Sequence, residues 1–218
     1  MTLSFDLPPP GAPAADPAPE TSLPAVLTFN VNDPSGAGGL AADLTAMASA
    51  SCHVLAVVTG TYVRDTRTVH HHIALDAEAV EDQARCALED VGVQAVKVGF
   101  AGSAENLSTV AEILSDYGEL PVVSYMPNLA WWDEVELENY LDATAELLLP
   151  QTTVLVGNHH TLCRWLLPDW AKDRPPGPRD VARAAADHGV PYTLVTGFNA
   201  PDQYLESHLA SPESVLAT

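Results

Sequence analysis

Asn30-Val-Asn-Asp-Pro-Ser-Gly-Ala-Gly-Gly-Leu-Ala-Ala-Asp-Leu-Thr45 is the stretch that decides the fold of this chain. It follows an apolar run at 25–29 that is typical of a buried strand. Residues 40–47, which begin inside the stretch, have the apolar spacing of a helix. Small residues at 35–39 join the two, so the sequence predicts a strand, a tight glycine turn and a helix. Amide groups at such a helix start attract an anion or a polar ring, which predicts a small-molecule site.

Two carboxylates flank this turn. Asp33 precedes the glycines, and Asp43 lies on the first turns of the predicted helix. A carboxylate in that place can hold a hydroxyl group or a cation, while turn amides near Gly36 and Gly38 hold the group attached to it. A capping role for Asp33 and a solvated position for Asp43 are the structural alternatives. No Gly-Lys-Ser/Thr closes the turn and the Gly-x-Gly-x-x-Gly spacing fails, which excludes a P-loop and argues against a dinucleotide-binding turn.

Composition narrows the function classes. Nine basic against 29 acidic side chains give a net charge of -20, which argues against binding to nucleic acids or anionic membranes. The three cysteines have no paired spacing and are read as reduced thiols. No apolar run approaches the roughly 18–20 residues of a membrane span. We therefore expect a cytoplasmic protein whose partner is a small molecule.

The chain divides into a tail and one domain. Residues 1–24 are rich in Pro and Ala without apolar periodicity, which predicts a disordered tail, and 25–218 form the predicted domain. Predicted strands lie at about 25–30, 54–59, 68–74, 94–98, 121–125, 152–156 and 192–196, and predicted helices at about 38–50, 76–90, 103–117, 134–148, 158–167 and 178–188. A hairpin of 203–207 with 214–217 follows. The alternation predicts an α/β fold, a doubly wound three-layer sandwich with a mainly parallel sheet.

The glycine-turn motif resembles the signature of the hydroxymethylpyrimidine/phosphomethylpyrimidine kinases of thiamine synthesis, members of the ribokinase-like superfamily. Further matches follow in order over about residues 25–200: Val57-Val58-Thr59 to Asp65-Thr66, Lys97-Val98-Gly99-Phe100, Leu149-Pro150 to Val156-Gly157-Asn158, and Val195-Thr196-Gly197. The resemblance implies a ribokinase-like fold. It also implies phosphorylation of hydroxymethylpyrimidine and its monophosphate with ATP and Mg²⁺.

The resemblance also implies site residues. It assigns pyrimidine binding to Asp33, Gly36, Gly38, Asp43, Arg64 and Phe100, and nucleotide or phosphate binding to Lys97, Asn158, Thr196 and Gly197. Core packing is the alternative for Phe100, and an acidic partner is the alternative for Lys97.

This sequence departs from the family pattern at several positions. Arg64 replaces a Gln or Glu, and it could stack on the ring, bind a phosphate, or pair with Asp33 or Asp65. Val31 replaces a Gly, from which we expect a narrower pocket. Thr161 replaces a metal-organising Glu, and the ligands of a metal ion stay unassigned. The run 70–72 of three histidines lacks convincing further ligands.

The resemblance implies a Gly-rich, Asp-bearing catalytic segment after residue 200, and 201–218 contain none. We therefore expect a C-terminally incomplete kinase domain, and no catalytic residue is assigned. A non-catalytic pyrimidine- or nucleotide-binding relative and a pyridoxal-type vitamer kinase are the alternatives. A sheet edge left exposed in this way predicts pairing into a homodimer.

Overall fold

The computed structural model describes residues 23–199 and 204–218. The predicted tail lies outside the described residues except for Leu23 and Pro24. The strands are β1 Ala25–Asn32, β2 His53–Arg64, β3 Val69–Ala74, β4 Ala95–Val98, β5 Val122–Met126, β6 Val154–Asn158, β7 Tyr192–Asn199, β8 Leu205–Ala210 and β9 Val215–Ala217. The helices are α1 Gly39–Ser49, α2 Ala77–Asp90, α3 Ala104–Asp116, α4 Glu134–Ala143, α5 His159–Leu166 and α6 Pro178–Ala186.

The strands form one sheet in the order β3-β2-β1-β4-β5-β6-β7-β8-β9. Neighbours from β2 to β7 run parallel, while β3, β8 and β9 pair antiparallel at the two edges. This confirms the predicted α/β fold with a mainly parallel sheet. The chain passes from β1 to β2 on one side and returns to β4 on the other. Strand order therefore reverses between β1 and β4, the point where such sheets bind ligands.

Several elements differ in extent from the sequence prediction, among them β7, which continues to Asn199 beyond the predicted end at about 196. β2 continues to Arg64 because its second half pairs with β3 as well as with the end of β1. The helix predicted over 134–148 ends at Ala143 and continues as a π-helical turn, Thr144–Leu148, and a 3-10 turn, Leu149–Gln151. The C-terminal hairpin is present, but its first arm is β8, because Leu209 and Ala210 are the residues that pair with β9.

One face of the sheet carries most of the core. Alternate residues of β1, namely Leu27, Phe29 and Val31, are fully buried in a cluster with residues of α2, α3 and α4. A second buried cluster, which includes Leu155 and Val195, joins β6 and β7 to α5 and α6. Val31 lies in the first cluster, so its side chain does not narrow the ligand cavity described below, contrary to the expectation from sequence.

The opposite face is covered less completely. Only α1, among the helices of the described ranges, packs on it, where Asp43 bonds to Thr28 of β1. Farther along the sheet, Tyr125 and Tyr192 are each 41% exposed. Parallel sheets are normally buried on both faces. The exposed tyrosines therefore show that the described residues leave part of this face uncovered.

Candidate active site

The glycine turn brings the start of α1 to the end of β1. The Asp33 carboxylate accepts hydrogen bonds from the Ser35 amide at 2.9 Å and the Ser35 hydroxyl at 2.6 Å. Gly39 has a φ of +59°, and a Cβ there would collide with the carbonyl oxygen of Val31. Only glycine both adopts this positive φ and leaves room for the Val31 carbonyl, so this turn requires a glycine at position 39.

Arg64 reaches the turn from the end of β2. Its Nη1 donates to Asp33 Oδ2 at 3.1 Å, and its Nε donates to the Asp65 carbonyl at 2.9 Å. The side chain of Asp33 is fully buried, while that of Arg64 is 17% exposed. Of the alternatives left open by the sequence, the structure shows the pair with Asp33. Both oxygens of that carboxylate therefore have donors within the protein.

Asp43 and Lys97 form a second ion pair below the turn. The Lys97 ammonium lies 2.7 Å from both carboxylate oxygens of Asp43, and both side chains are mostly buried. Asp43 Oδ2 also accepts from Asn30 Nδ2 at 2.9 Å and from Thr28 Oγ1 at 3.1 Å. The pair compensates a buried charge and ties α1 to β1 and β4.

Asn30 links the carboxyl ends of β1 and β4. Its Oδ1 accepts from the amides of Val31 at 2.9 Å and Phe100 at 3.2 Å. Its amide group lies across Gly99, where a Cβ would collide with it. This contact gives a physical reason for glycine in the Lys97–Phe100 motif.

A cavity of about 550 Å³ opens beside this link, at the reversal of strand order. Aromatic side chains form much of its wall, and the glycine turn with polar side chains forms the rest. The lining includes Tyr62, Phe100, Tyr125, Trp131, Arg64, Arg67, Thr68, Asn128, and Ala37 to Gly39. Flat aromatic walls with a few polar groups suit a planar heterocycle.

Phe100 serves both the core and the cavity. It is 1% exposed and stacks on Tyr62, with ring centres 5.8 Å apart and planes 6° apart. Trp131 meets both rings edge-on, and His72 supports the cluster by a 2.6 Å hydrogen bond between its Nε2 and the Gly102 carbonyl. Burial raises the pKa of the Tyr62 phenol above its usual value of 10, so this wall of the cavity stays uncharged.

Asn158, Thr196 and Gly197 lie together at the ends of β6 and β7, where Asn158 pairs in register with Thr196. The Asn158 side chain caps α5 by accepting from the His160 amide at 2.9 Å. Gly197 has a φ of +79°, and a Cβ on it would collide with the Asn158 amide. Lys97, assigned to the same role by the resemblance, is instead paired with Asp43.

The described residues contain no group of three or more His, Cys, Asp or Glu side chains placed to hold a metal ion. Within the histidine run, His70 lies 3.8 Å from Asp65, whereas His72 belongs to the aromatic cluster. Among the helices of 23–199 and 204–218, none combines the length and the apolarity that crossing a membrane requires.

Several cavity residues were missed by the sequence prediction. Asn30 begins the quoted glycine-turn stretch without being singled out there, and no sequence signal marks Tyr62 or Asn128. Arg67 had a usable signal, because it stands three residues after Arg64 in a chain with only nine basic side chains.

The mainly parallel sheet with helices packed on it places the chain in the class of ribokinase-like folds, and solved structures share this fold. The chain resembles Bacillus subtilis pyridoxal kinase in its ADP complex with a TM-score of 0.76 and 20% identity, over 90% of this chain and 76% of that one. Phosphomethylpyrimidine kinase from Clostridium difficile gives a TM-score of 0.72 at 18% identity, with 89% and 83% covered.

The family follows from the sequence match. The phosphomethylpyrimidine kinase family model matches residues 33–216, and the chain belongs to this family. Hydroxymethylpyrimidine/phosphomethylpyrimidine kinase of Streptomyces coelicolor is 35% identical over 142 residues, which are 65% of this chain and 53% of that protein. The chain spans about half the length of the curated relatives it matches. These matches confirm the resemblance recognised in the glycine-turn motif.

Proposed function

We propose that this chain is the substrate- and nucleotide-binding part of a kinase that phosphorylates hydroxymethylpyrimidine and its monophosphate. The observation that carries the proposal is the aromatic-walled cavity of about 550 Å³, which is bordered by the family's own glycine turn. Membership of the family supports the reaction class. The position of the cavity at the reversal of strand order supports it as the ligand-binding site.

The cavity residues divide into two groups by task. The rings of Tyr62 and Trp131 hold the planar heterocycle, with Phe100 stacked behind Tyr62, and turn amides near Gly38 donate hydrogen bonds to its substituents. Asp33 acts through Arg64, whose guanidinium it holds against the cavity. The Asp43–Lys97 pair and Asn30 do not contact the substrate in this proposal. They hold β1 and β4 together beneath the site and so fix its shape.

ATP, which supplies the phosphoryl group when bound, is proposed to lie at Asn158, Thr196 and Gly197. The support is the resemblance together with the pairing of Asn158 with Thr196 at neighbouring strands, where the Asn158 amide packs against Gly197. The described residues place no carboxylate cluster there, so they do not fit a Mg²⁺ site built by the protein alone. A cytoplasmic location belongs to the same proposal, because an ATP-dependent vitamin kinase works where ATP is supplied.

A binding protein without turnover is the second candidate, and one observation favours it. Asp33 is the sole acid among the described residues that line the cavity, and both its oxygens already have donors. The described part of the cavity therefore offers no free carboxylate to accept the substrate's hydroxyl proton.

Calorimetry with hydroxymethylpyrimidine, its monophosphate and pyridoxal, followed by ATP-turnover assays with each, tests both candidates. We expect the pyrimidines to bind and Trp131→Ala to weaken them by about tenfold, as removal of a stacking wall should. Trp170→Ala, on the loop before α6 and outside the cavity lining, is the matched control and should bind the three compounds normally. Binding with turnover supports the kinase, and binding without turnover supports the second candidate. A folded protein that binds none of the three compounds contradicts both.

We also propose that two copies associate, through the less covered face of the sheet and not through the sheet edge expected from the sequence. Exposed Tyr125 and Tyr192 support this, since burying such a face removes apolar area from water. Tyr192→Lys should shift the mass measured by light scattering to that of a monomer. Tyr204→Lys, at an exposed tyrosine next to β8, is the control and should leave the mass unchanged. A monomeric wild-type protein at high micromolar concentration would reject the proposal.

A further inference from the structure

The cavity has a charge opposite to that of the whole chain. Arg64 and Arg67 both line it, although the chain has only nine basic side chains against 29 acidic ones. Asp33 is the one acid among the described lining residues, and Arg64 compensates it. The lining therefore has a net charge of about +1 from Arg67, inside a protein of net charge -20.

Arg67 is held by its backbone and not by its side chain. Its amide and that of Thr68 donate to Asp65 Oδ1 at 2.7 and 2.8 Å, which closes a tight turn at the rim of the cavity. Within the described residues the Arg67 guanidinium takes part in no ion pair or hydrogen bond. Its five N–H donors are therefore available to a ligand in the cavity.

Among the other lining side chains, the hydroxyls of Tyr62, Tyr125 and Thr68 can each donate or accept a hydrogen bond. Asn30 uses its Oδ1 for the amides of Val31 and Phe100, so this acceptor is occupied. Arginine only donates, whereas the Gln or Glu that the resemblance places at position 64 has acceptor oxygens. The neutral alcohol and its monophosphate share the same aminopyrimidine ring, so they differ in the phosphate, whose oxygens accept hydrogen bonds from an arginine.

We propose that the cavity selects the phosphorylated pyrimidine over the neutral alcohol, with Arg67 as the residue that discriminates between them. This inference rests on the function proposed above and specifies which of the two proposed substrates binds more tightly. The phosphate oxygens accept from Arg67, whose side chain loses no internal partner on binding. Arg64 stays paired with Asp33 and adds positive potential at the same wall.

The test compares the Kd values of hydroxymethylpyrimidine and its monophosphate for the wild type, Arg67→Gln and Arg179→Gln. Arg179 is an exposed arginine of α6, so its variant has the same change in net charge away from the cavity. We expect the wild type to bind the monophosphate at least about tenfold more tightly, the size of one charge-assisted hydrogen bond. Arg67→Gln should remove about that factor for the monophosphate and alter the neutral alcohol less than about twofold, and Arg67→Lys should restore part of it.

Equal affinity of the wild type for the two compounds would overturn the selectivity while leaving the proposed function intact. An equal loss for both compounds in Arg67→Gln would show a structural effect and overturn the role of Arg67. If neither compound binds to folded wild-type protein, the proposed function fails together with this inference. Arg179→Gln must match the wild type, since an equal loss there would assign the effect to net charge alone.

Discussion

Replacing Lys97 with Met tests whether the Asp43–Lys97 pair is structural. The change keeps most of the side-chain length and removes the charge, so Asp43 retains only Thr28 and Asn30 as donors. Removing one partner of a fully buried ion pair costs about 3–5 kcal/mol. Here the side chains of Lys97 and Asp43 are 19% and 11% exposed, so solvent screens part of the loss. We expect a decrease of about 2–3 kcal/mol in the free energy of unfolding.

Urea unfolding of the wild type, Lys97→Met, Asp43→Asn and the double variant measures this energy. The double variant should lose about 1–2 kcal/mol less than the sum of the two single variants, because residues in one ion pair are coupled. Lys172→Met is the matched control. Lys172 is the other lysine of the chain, and its 60% exposed side chain lies 3.9 Å from Asp180, so its loss should cost less than about 1 kcal/mol.

Two results would refute the structural role of Lys97. One is a Lys97→Met variant no less stable than Lys172→Met, with single effects that simply add. The other is normal stability of Lys97→Met combined with loss of ATP binding, which would favour the phosphate-binding role implied by the resemblance. If, in the first case, Lys97→Met also keeps its ligand binding, both the structural and the phosphate-binding role of Lys97 are contradicted.

Three further changes have defined outcomes. Burial raises the pKa of the Cys163 thiol to about 11. At pH 8 a thiol reagent should therefore modify the exposed Cys86 quickly and Cys163 only slowly, and equal modification rates would contradict this. The guanidinium beside Asp180 holds the pKa of that carboxyl below its usual value, so Asp180→Asn should lower stability at neutral pH. The difference from the wild type should shrink as pH falls from about 4, where the carboxyl of the unfolded chain takes up a proton, toward the lower pKa of the folded chain. A stability difference that does not change with pH would contradict this. Gly99→Ala should destabilise the protein by about 1–3 kcal/mol in thermal unfolding, because its Cβ displaces Asn30, and an unchanged melting temperature would show that Asn30 can move aside.

The sequence by itself determined the features that depend on neighbouring residues. The apolar run at 25–29, the glycine turn and the helix after it follow from local rules, since Gly39 adopts a φ that other residues rarely take. The alternation of strands and helices then led to a mainly parallel α/β sheet, and the motif order identified the family.

Only the tertiary structure decided which side chains meet. Arg64 pairs with Asp33, 31 residues away, although Asp65 is its neighbour in sequence. Lys97 meets Asp43 across 54 residues, so its charge is compensated inside the protein. Arg67 reaches the cavity because the turn closed by the Asp65 carboxylate places it there. The physical reason is that charge pairing and burial depend on distances in space, whereas turns and helix starts depend on the backbone conformations that adjacent residues allow.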